Sequence, residues 1–256
     1  MNGWHAVVFG VVEGLTEFLP VSSTGHLILT ARLLGLPQTE FLKSFEIAIQ
    51  LGAMLAVVVV YGKSLLGQPE VTKRVLTALA PTLAIGFLLY EIVKGYLFSD
   101  HSIILASLVL GGIALILFDR WHREGPRAVS KMEDIPYPQA FLIGFVQALA
   151  VVPGVSRAGA TIVGGLALGL SRKTVVEFSF LLAVPTILAA TVLDVTKNGS
   201  SFAQADWSLL LLGSSVSFVV ALVSIRFFLH YIQRSGFLVF GVYRILLAAA
   251  FWIFVK

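Results

Sequence analysis

Glu13 and Glu17 stand four residues apart in a largely apolar stretch, residues 6–19. In a helix that spacing puts both carboxylates on one face. Two carboxylates so placed repel each other unless a proton or a cation lies between them. A hard divalent ion, Mg²⁺ or Ca²⁺, suits oxygen ligands, so Glu13 and Glu17 are candidate metal ligands. The chain continues as Pro20-Val21-Ser22-Ser23-Thr24-Gly25-His26. A hydroxyl at such a break can simply cap the next helix. Ser23 and His26, three residues apart at a helix start, also make a candidate nucleophile and acid/base pair. A second break reads Pro153-Gly154-Val155-Ser156-Arg157-Ala158-Gly159-Ala160-Thr161. A glycine-rich loop opening a helix offers an anion free N–H groups and the positive end of the dipole. Arg157 adds a planar fork suited to phosphate. Ser156, Thr161, Ser22, Thr24 and the backbone at Gly154 are further candidate phosphate contacts. Carboxylates with a metal, acid/base groups and an Arg clamp together are what phosphoryl transfer needs.

These residues sit in a chain of 256 residues, 57% hydrophobic and 12% charged. Soluble domains carry about 25% charged residues, so a soluble enzyme, a disordered chain and a DNA-binding domain are excluded. The formal charge of +4 reads as basic cytoplasmic loops of a membrane protein, not as nucleic-acid binding. There is no Cys, which removes disulfides and thiolate chemistry. The segment MNGWHAVVFG lacks the basic start of a cleaved signal peptide, so it is expected in the mature protein.

Six stretches are long and apolar enough to be predicted as membrane spans, near 46–61, 76–97, 103–119, 178–196, 207–229 and 236–255. Residues 6–19 with 27–36, and 137–152 with a piece ending near Leu170, are different: each half is too short to span. Each pair is interrupted by Pro, Gly and Ser, which break helices. A break at membrane depth survives only where protein or a polar cavity covers it, so both are predicted to be re-entrant helical hairpins. A slide of 134 residues sets Gly10 on Gly144, Glu13 on Gln147, Ser22 on Ser156 and Gly25 on Gly159. Three spans separate the hairpins, so they enter from opposite faces. The fold class is therefore all-α integral membrane, six spans plus two hairpins in an inverted-topology repeat. It forms one domain over 1–256, with halves 1–119 and 137–256 and a linker 120–136. Such repeats place a site near the midplane, and a phosphate bound there belongs to a lipid.

Lys and Arg divide 11 to 5 between the two sides, and the richer side is expected to be cytoplasmic. Both termini and the opening of the site then face outward. Gly10/Gly14 and Gly165/Gly169 are spaced for close helix contact, within the hairpins or, as the second choice, in a homodimer. Glu46 and Gln50 lie at i, i+4 near the first hairpin, as surroundings of the site or as an interface. Glu177 is expected to cap or pair near the cytoplasmic face. Arg244, midway along the last span, needs a partner, with Asp194 and Glu91 as candidates.

At Glu13-Gly14-Leu15-Thr16-Glu17-Phe18-Leu19-Pro20-Val21-Ser22-Ser23-Thr24-Gly25-His26-Leu27, Phe45–Gly52, Pro153–Arg157 and Glu177–Pro185 the chain resembles the undecaprenyl-diphosphate phosphatases, or bacitracin-resistance proteins. The resemblance covers nearly the whole chain. It implies a bacterial inner-membrane enzyme that hydrolyses undecaprenyl diphosphate to the monophosphate and inorganic phosphate, which recycles the lipid carrier of peptidoglycan synthesis, using Mg²⁺ or Ca²⁺ at a periplasm-facing site. Bacitracin sequesters that substrate. By motif, Glu17 is the essential acidic residue and Glu13 its companion. Ser23 and His26 are the nucleophile and its acid/base partner, in either order, and Arg157 binds the diphosphate with Ser156 and Thr161 beside it. Ala158 stands where the family loop carries a second Ser, which puts one phosphate hydrogen bond in question, and the linker between the first two spans is short for the family. The runner-up is a transporter or flippase of the same lipid, because inverted repeats are transporter architecture. A transporter needs the anion cradle but no Ser–His pair. A structural scaffold, the third reading, would tolerate loss of Glu17 or Arg157.

Overall fold

The computed structural model describes residues 1–92, 101–197, 207–232 and 235–254. They form ten α-helices: α1 (Gly3–Thr16), α2 (Ser23–Leu33), α3 (Glu40–Gly67), α4 (Pro69–Ile92), α5 (His101–Trp121), α6 (Tyr137–Gln147), α7 (Arg157–Ala167), α8 (Arg172–Lys197), α9 (Trp207–Ile232) and α10 (Leu238–Phe254). Short 3-10 turns cover Met132–Asp134 and Ala148–Val151. Among the described residues five helices, α3, α4, α5, α8 and α9, are long and apolar enough to cross a membrane. The protein is thus an all-helical, multi-pass membrane protein. The sixth predicted span is the 17-residue α10, about 26 Å long at 1.5 Å per residue, short of a hydrocarbon core of about 30 Å. The side chain of Glu91 and residues 93–97 and 255 of the predicted spans lie outside the described residues, as do Lys94, Arg234 and Lys256 of the charge division.

Some helices run past their predicted ends because their polar flanks are satisfied locally. Thr39 caps α3 by accepting the Leu42 N–H at 3.2 Å. Pro69 opens α4, where its missing N–H costs nothing. The charges that follow pair among themselves, Lys73 with Glu70 at 2.8 Å and Arg74 with Glu70 at 2.7 Å.

The two interrupted regions have the same local build. Ser22 and Ser156, both non-glycine residues with positive φ (71° and 78°), precede α2 and α7. Each caps its helix by accepting an N–H three residues on, from Gly25 at 3.3 Å and from Gly159 at 3.1 Å. These are the pairs that the slide of 134 sets together. The glycines match too. A Cβ on Gly10 or Gly14 would lie 2.6 Å from the Gly213 carbonyl or 2.7 Å from that of Ser217, both on α9. A Cβ on Gly144 would strike the Ala78 carbonyl on α4. Helix α1 therefore lies against α9 as α6 lies against α4. Close approach at Gly10 and Gly14 serves packing on α9 instead of contact within the hairpin. Of the other glycine pair, Gly165 packs against Val175, whereas Gly169 adopts φ +90° in a turn with no neighbour to crowd.

The largest apolar core joins the first break to the later helices. Phe18 meets Phe180 of α8 edge-on at 5.1 Å, and Phe228 of α9 meets Phe240 of α10 at 5.5 Å. Such aromatic pairs contribute about 0.5–1.5 kcal/mol beyond area burial.

Gly144→Val is expected to destabilise the fold by about 1–3 kcal/mol through overpacking. Gly62→Ala, whose Cβ would meet only Val58 at 3.7 Å, should be neutral or stabilising, since Ala exceeds Gly in helix propensity by up to about 1 kcal/mol. Thermal unfolding in detergent separates the two, and identical melting of both variants would contradict the tight α6–α4 contact.

Candidate active site

Both breaks open into one cavity of about 610 Å³. Glu17 ends α1, its N–H bonded to the Glu13 carbonyl at 2.9 Å. The chain turns through Ser22, and Ser23, the first residue of α2, brings its hydroxyl back to donate to Glu17 Oε2. From the second break, Arg157 opens α7 and donates from Nη2 to Glu17 Oε1 at 3.1 Å. Its Nη1 donates to the Ser179 carbonyl at 2.9 Å, while its Nε–H is buried without a partner. One carboxylate therefore joins a hydroxyl of the first break to a guanidinium of the second. The first turns of α2 and α7 both face this cavity, through Ser22, Ser23, Thr24, Gly154, Ser156 and Arg157. Two helix N-termini and an unpartnered Arg N–H form an anion-binding corner.

Glu13 lies off the cavity wall, completely buried, with neither carboxylate oxygen hydrogen-bonded. Its charged neighbours are Glu17, Arg157 and Glu46. A buried carboxylate with both oxygens unpaired beside a second carboxylate has the donor character of a hard-cation site. Among the described residues no three His, Asp or Glu cluster as a complete metal site. Glu46 and Gln50 are on the cavity wall, so they belong to the surroundings of the site. Away from the polar corner the wall is mostly apolar, with Leu83 and Phe87 of α4 and Ile187, Ala190 and Leu193 of α8, and it carries Lys43, Asp194 and Thr196 toward its other end.

Besides Glu13, two more predicted residues are not brought to the cavity wall. His26 is absent from its wall. Its Nδ1–H donates to the Ser22 carbonyl at 2.7 Å, which leaves Nε2 of the neutral ring to accept from the Tyr243 hydroxyl, also at 2.7 Å. Thr161 is fully buried below the loop, bonded to Gln147 at 3.0 Å and to the Arg157 carbonyl at 2.9 Å. One turn into α7, it supports Arg157 from beneath. Arg244 does not pair with Asp194. Five backbone carbonyls take its N–H groups, Asp194 accepts from Ser44 at 3.0 Å, and the Glu91 side chain is outside the described residues. Glu177 lies beside Tyr61. Sequence reasoning missed Thr82 and Thr186, which each accept from Gln147 Nε2 at 3.2 Å. The available signal was two Pro-Thr pairs, Pro81-Thr82 and Pro185-Thr186, inside apolar spans.

The family model for "Bacitracin resistance protein BacA" matches residues 6–250. The chain belongs to the bacitracin-resistance BacA family. Undecaprenyl-diphosphatase of Aquifex aeolicus is 49% identical, covering 99% of this chain and 100% of the relative. The Sulfurihydrogenibium protein of that name is 51% identical with 99% of each chain covered, and the Thermus thermophilus one 45% over 99% and 98%. Within this BacA chain, Ala158 is 1% exposed and packs in the apolar core. A Ser there would face the core, so its replacement removes no group from the cavity wall.

The Glu17–Arg157 pair is nearly buried, with side chains 5% and 11% exposed. Removing one partner from such a pair costs about 3–5 kcal/mol because the other charge is stranded. Arg157→Met is expected to destabilise the protein by that order, and Arg157→Met with Glu17→Gln by less than the sum of the single changes. A double-mutant cycle in denaturant unfolding reads the coupling, and additive losses would contradict the pairing.

Proposed function

We propose that this chain is a phosphatase that hydrolyses undecaprenyl diphosphate to undecaprenyl phosphate and inorganic phosphate, the activity its relatives' names state. It would thereby recycle the lipid carrier of the cell wall and confer bacitracin resistance. The observation that carries the reading is the Ser23–Glu17–Arg157 chain. A hydroxyl donates to a carboxylate held by a guanidinium, at the wall of a cavity whose other side is apolar. The apolar face between α4 and α8 suits a prenyl chain, and the polar corner suits its diphosphate.

In the proposed reaction Arg157 and the N-termini of α2 and α7 hold the diphosphate. Ser23 Oγ attacks the terminal phosphorus, and its proton passes to Glu17. The bond from that phosphorus to the bridging oxygen breaks, and undecaprenyl phosphate leaves with the proton that Glu17 hands to that oxygen, which restores the Glu17 carboxylate. Water then attacks the phosphoserine, Glu17 takes up the water proton, and inorganic phosphate departs as Ser23 recovers its hydroxyl. His26, anchored between Ser22 and Tyr243, holds the turn that presents Ser23. Glu13, with Glu17 and phosphate oxygens, would hold Mg²⁺ or Ca²⁺, which supplies neutralising charge at the diphosphate.

The matched caps at Ser22 and Ser156 support an inverted repeat of two hairpins and six spans in one domain, with α10 as the sixth. The Lys and Arg division supports a bacterial inner-membrane protein whose termini and cavity face the periplasm.

Phosphate release from undecaprenyl diphosphate by detergent-purified protein tests the function. Turnover should require Mg²⁺ or Ca²⁺ and stop with chelator. Loss of the base or the clamp in Glu17→Gln or Arg157→Ala should lower kcat by about 100-fold or more, at the lower end of what positioned acid/base groups contribute. No turnover by the intact protein, with lipid still bound through Arg157, would favour the transporter.

A further inference from the structure

Arg244 of α10 is 1% exposed, and all of its donors are spent on main-chain oxygens. Nε donates to Leu108 at 3.2 Å, and Nη2 to Ser107 at 2.9 Å and Gly154 at 2.6 Å. Nη1 donates to Pro20 at 3.2 Å and Val155 at 2.9 Å. An Arg has five N–H donors in a fixed plane, so this one is saturated. Its acceptors are not scattered. Pro20 lies in the first break, between Glu17 and Ser23. Gly154 and Val155 lie in the second, just before Ser156 and Arg157. Ser107 and Leu108 belong to one turn of α5. The guanidinium is thus bonded to both breaks at once, and both are tied to α5 through it.

The surroundings are shaped for that planar group. A Cβ on Gly111 would strike Nη2 and Cζ of Arg244, and one on Gly154, where φ is +94°, would meet the Ile104 carbonyl at 2.8 Å. The carbonyls that Arg244 serves on the breaks lie where the chain leaves the helix ladder, with positive φ at Ser22, Gly154 and Ser156. Such strained turns persist only when their surroundings over-determine them.

We propose that Arg244 is a positioning residue for the phosphatase reaction: bonded to the carbonyls of Pro20, Gly154 and Val155, it sets Ser23 and Glu17 of the first break against Arg157 of the second. It touches neither substrate nor cavity and acts through the two main chains. Lys could not replace it, because an ammonium has three donors from one point. At least two of the five carbonyls would be released, and the breaks would drift relative to each other.

The inference rests on the phosphatase reading, so its test has two arms. Arg244→Lys is purified in detergent, and hydrogen–deuterium exchange is followed at residues 18–25 and 152–158. Exchange should quicken at both breaks while α1 and α6 stay protected. In parallel, kcat for phosphate release should fall about 100-fold, the scale of a misplacement of about 1 Å, with KM little changed. Should Arg244→Lys fail to fold, Gly111→Ala displaces the same guanidinium and is measured the same way. Unchanged exchange at either break overturns the proposal, and so does faster exchange with kcat intact. An intact protein that releases no phosphate overturns the phosphatase reading, while the exchange arm still decides whether Arg244 holds the breaks.

Discussion

A broken helix inside a membrane protein strands backbone carbonyls where water cannot reach them, and each buried acceptor left without a donor costs about 1–3 kcal/mol. Two breaks placed side by side double that cost. Arg244 answers it with one guanidinium, which serves three carbonyls on the breaks and two on α5. Burying a guanidinium is itself costly by several kcal/mol. Five hydrogen bonds to oriented carbonyl dipoles offset it, which explains an Arg among apolar residues with no carboxylate bonded to it among the described residues. Once the main chains are fixed this way, the Glu17–Arg157 contact can bridge the breaks in front of them.

The two breaks share a backbone device but not its chemistry. Ser22 and Ser156 adopt the same strained φ and make the same cap. At the next equivalent position they part. Gln147 is completely satisfied, accepting from Thr161 and donating to Thr82 and Thr186. Its counterpart Glu13 is as deeply buried and has no hydrogen bond. At the second break the polar groups are thus paired, with Thr161 also bonded to the Arg157 carbonyl. The first break keeps an unsatisfied carboxylate next to the Ser23–Glu17 pair. A local departure from polar satisfaction of this kind is what a reactive site looks like in an otherwise consistent fold.

Much of this was legible in the sequence. Charges within apolar segments located Glu13, Glu17, Arg157 and Arg244, because so few reasons exist to place a charge there. Pro, Gly and Ser marked the breaks, and the slide of 134 residues paired the caps correctly. Length and composition identified the long helices. What failed was direction. His26 and Thr161 lie close in sequence to the site but are turned away from the cavity by partners on other elements, Tyr243 and Gln147. Arg244 was read as needing a carboxylate, because spacing cannot reveal main-chain carbonyls freed by breaks almost 90 and more than 200 residues away. Asp194 found its partner in Ser44, 150 residues distant.

The site exists only where the two breaks meet. A Cβ on Gly159 would lie 3.6 Å from that of Pro20, within the range of about 3.5–4.5 Å that a disulfide spans. The chain has no Cys of its own, so Pro20→Cys with Gly159→Cys gives a background-free pair. A protease site placed in the linker 120–136 lets the halves be cut apart after oxidation. Halves that migrate together without reductant and separate with it are the predicted result. Halves that separate under both conditions, with both thiols open to alkylation in the folded protein, would contradict a site built from the two breaks.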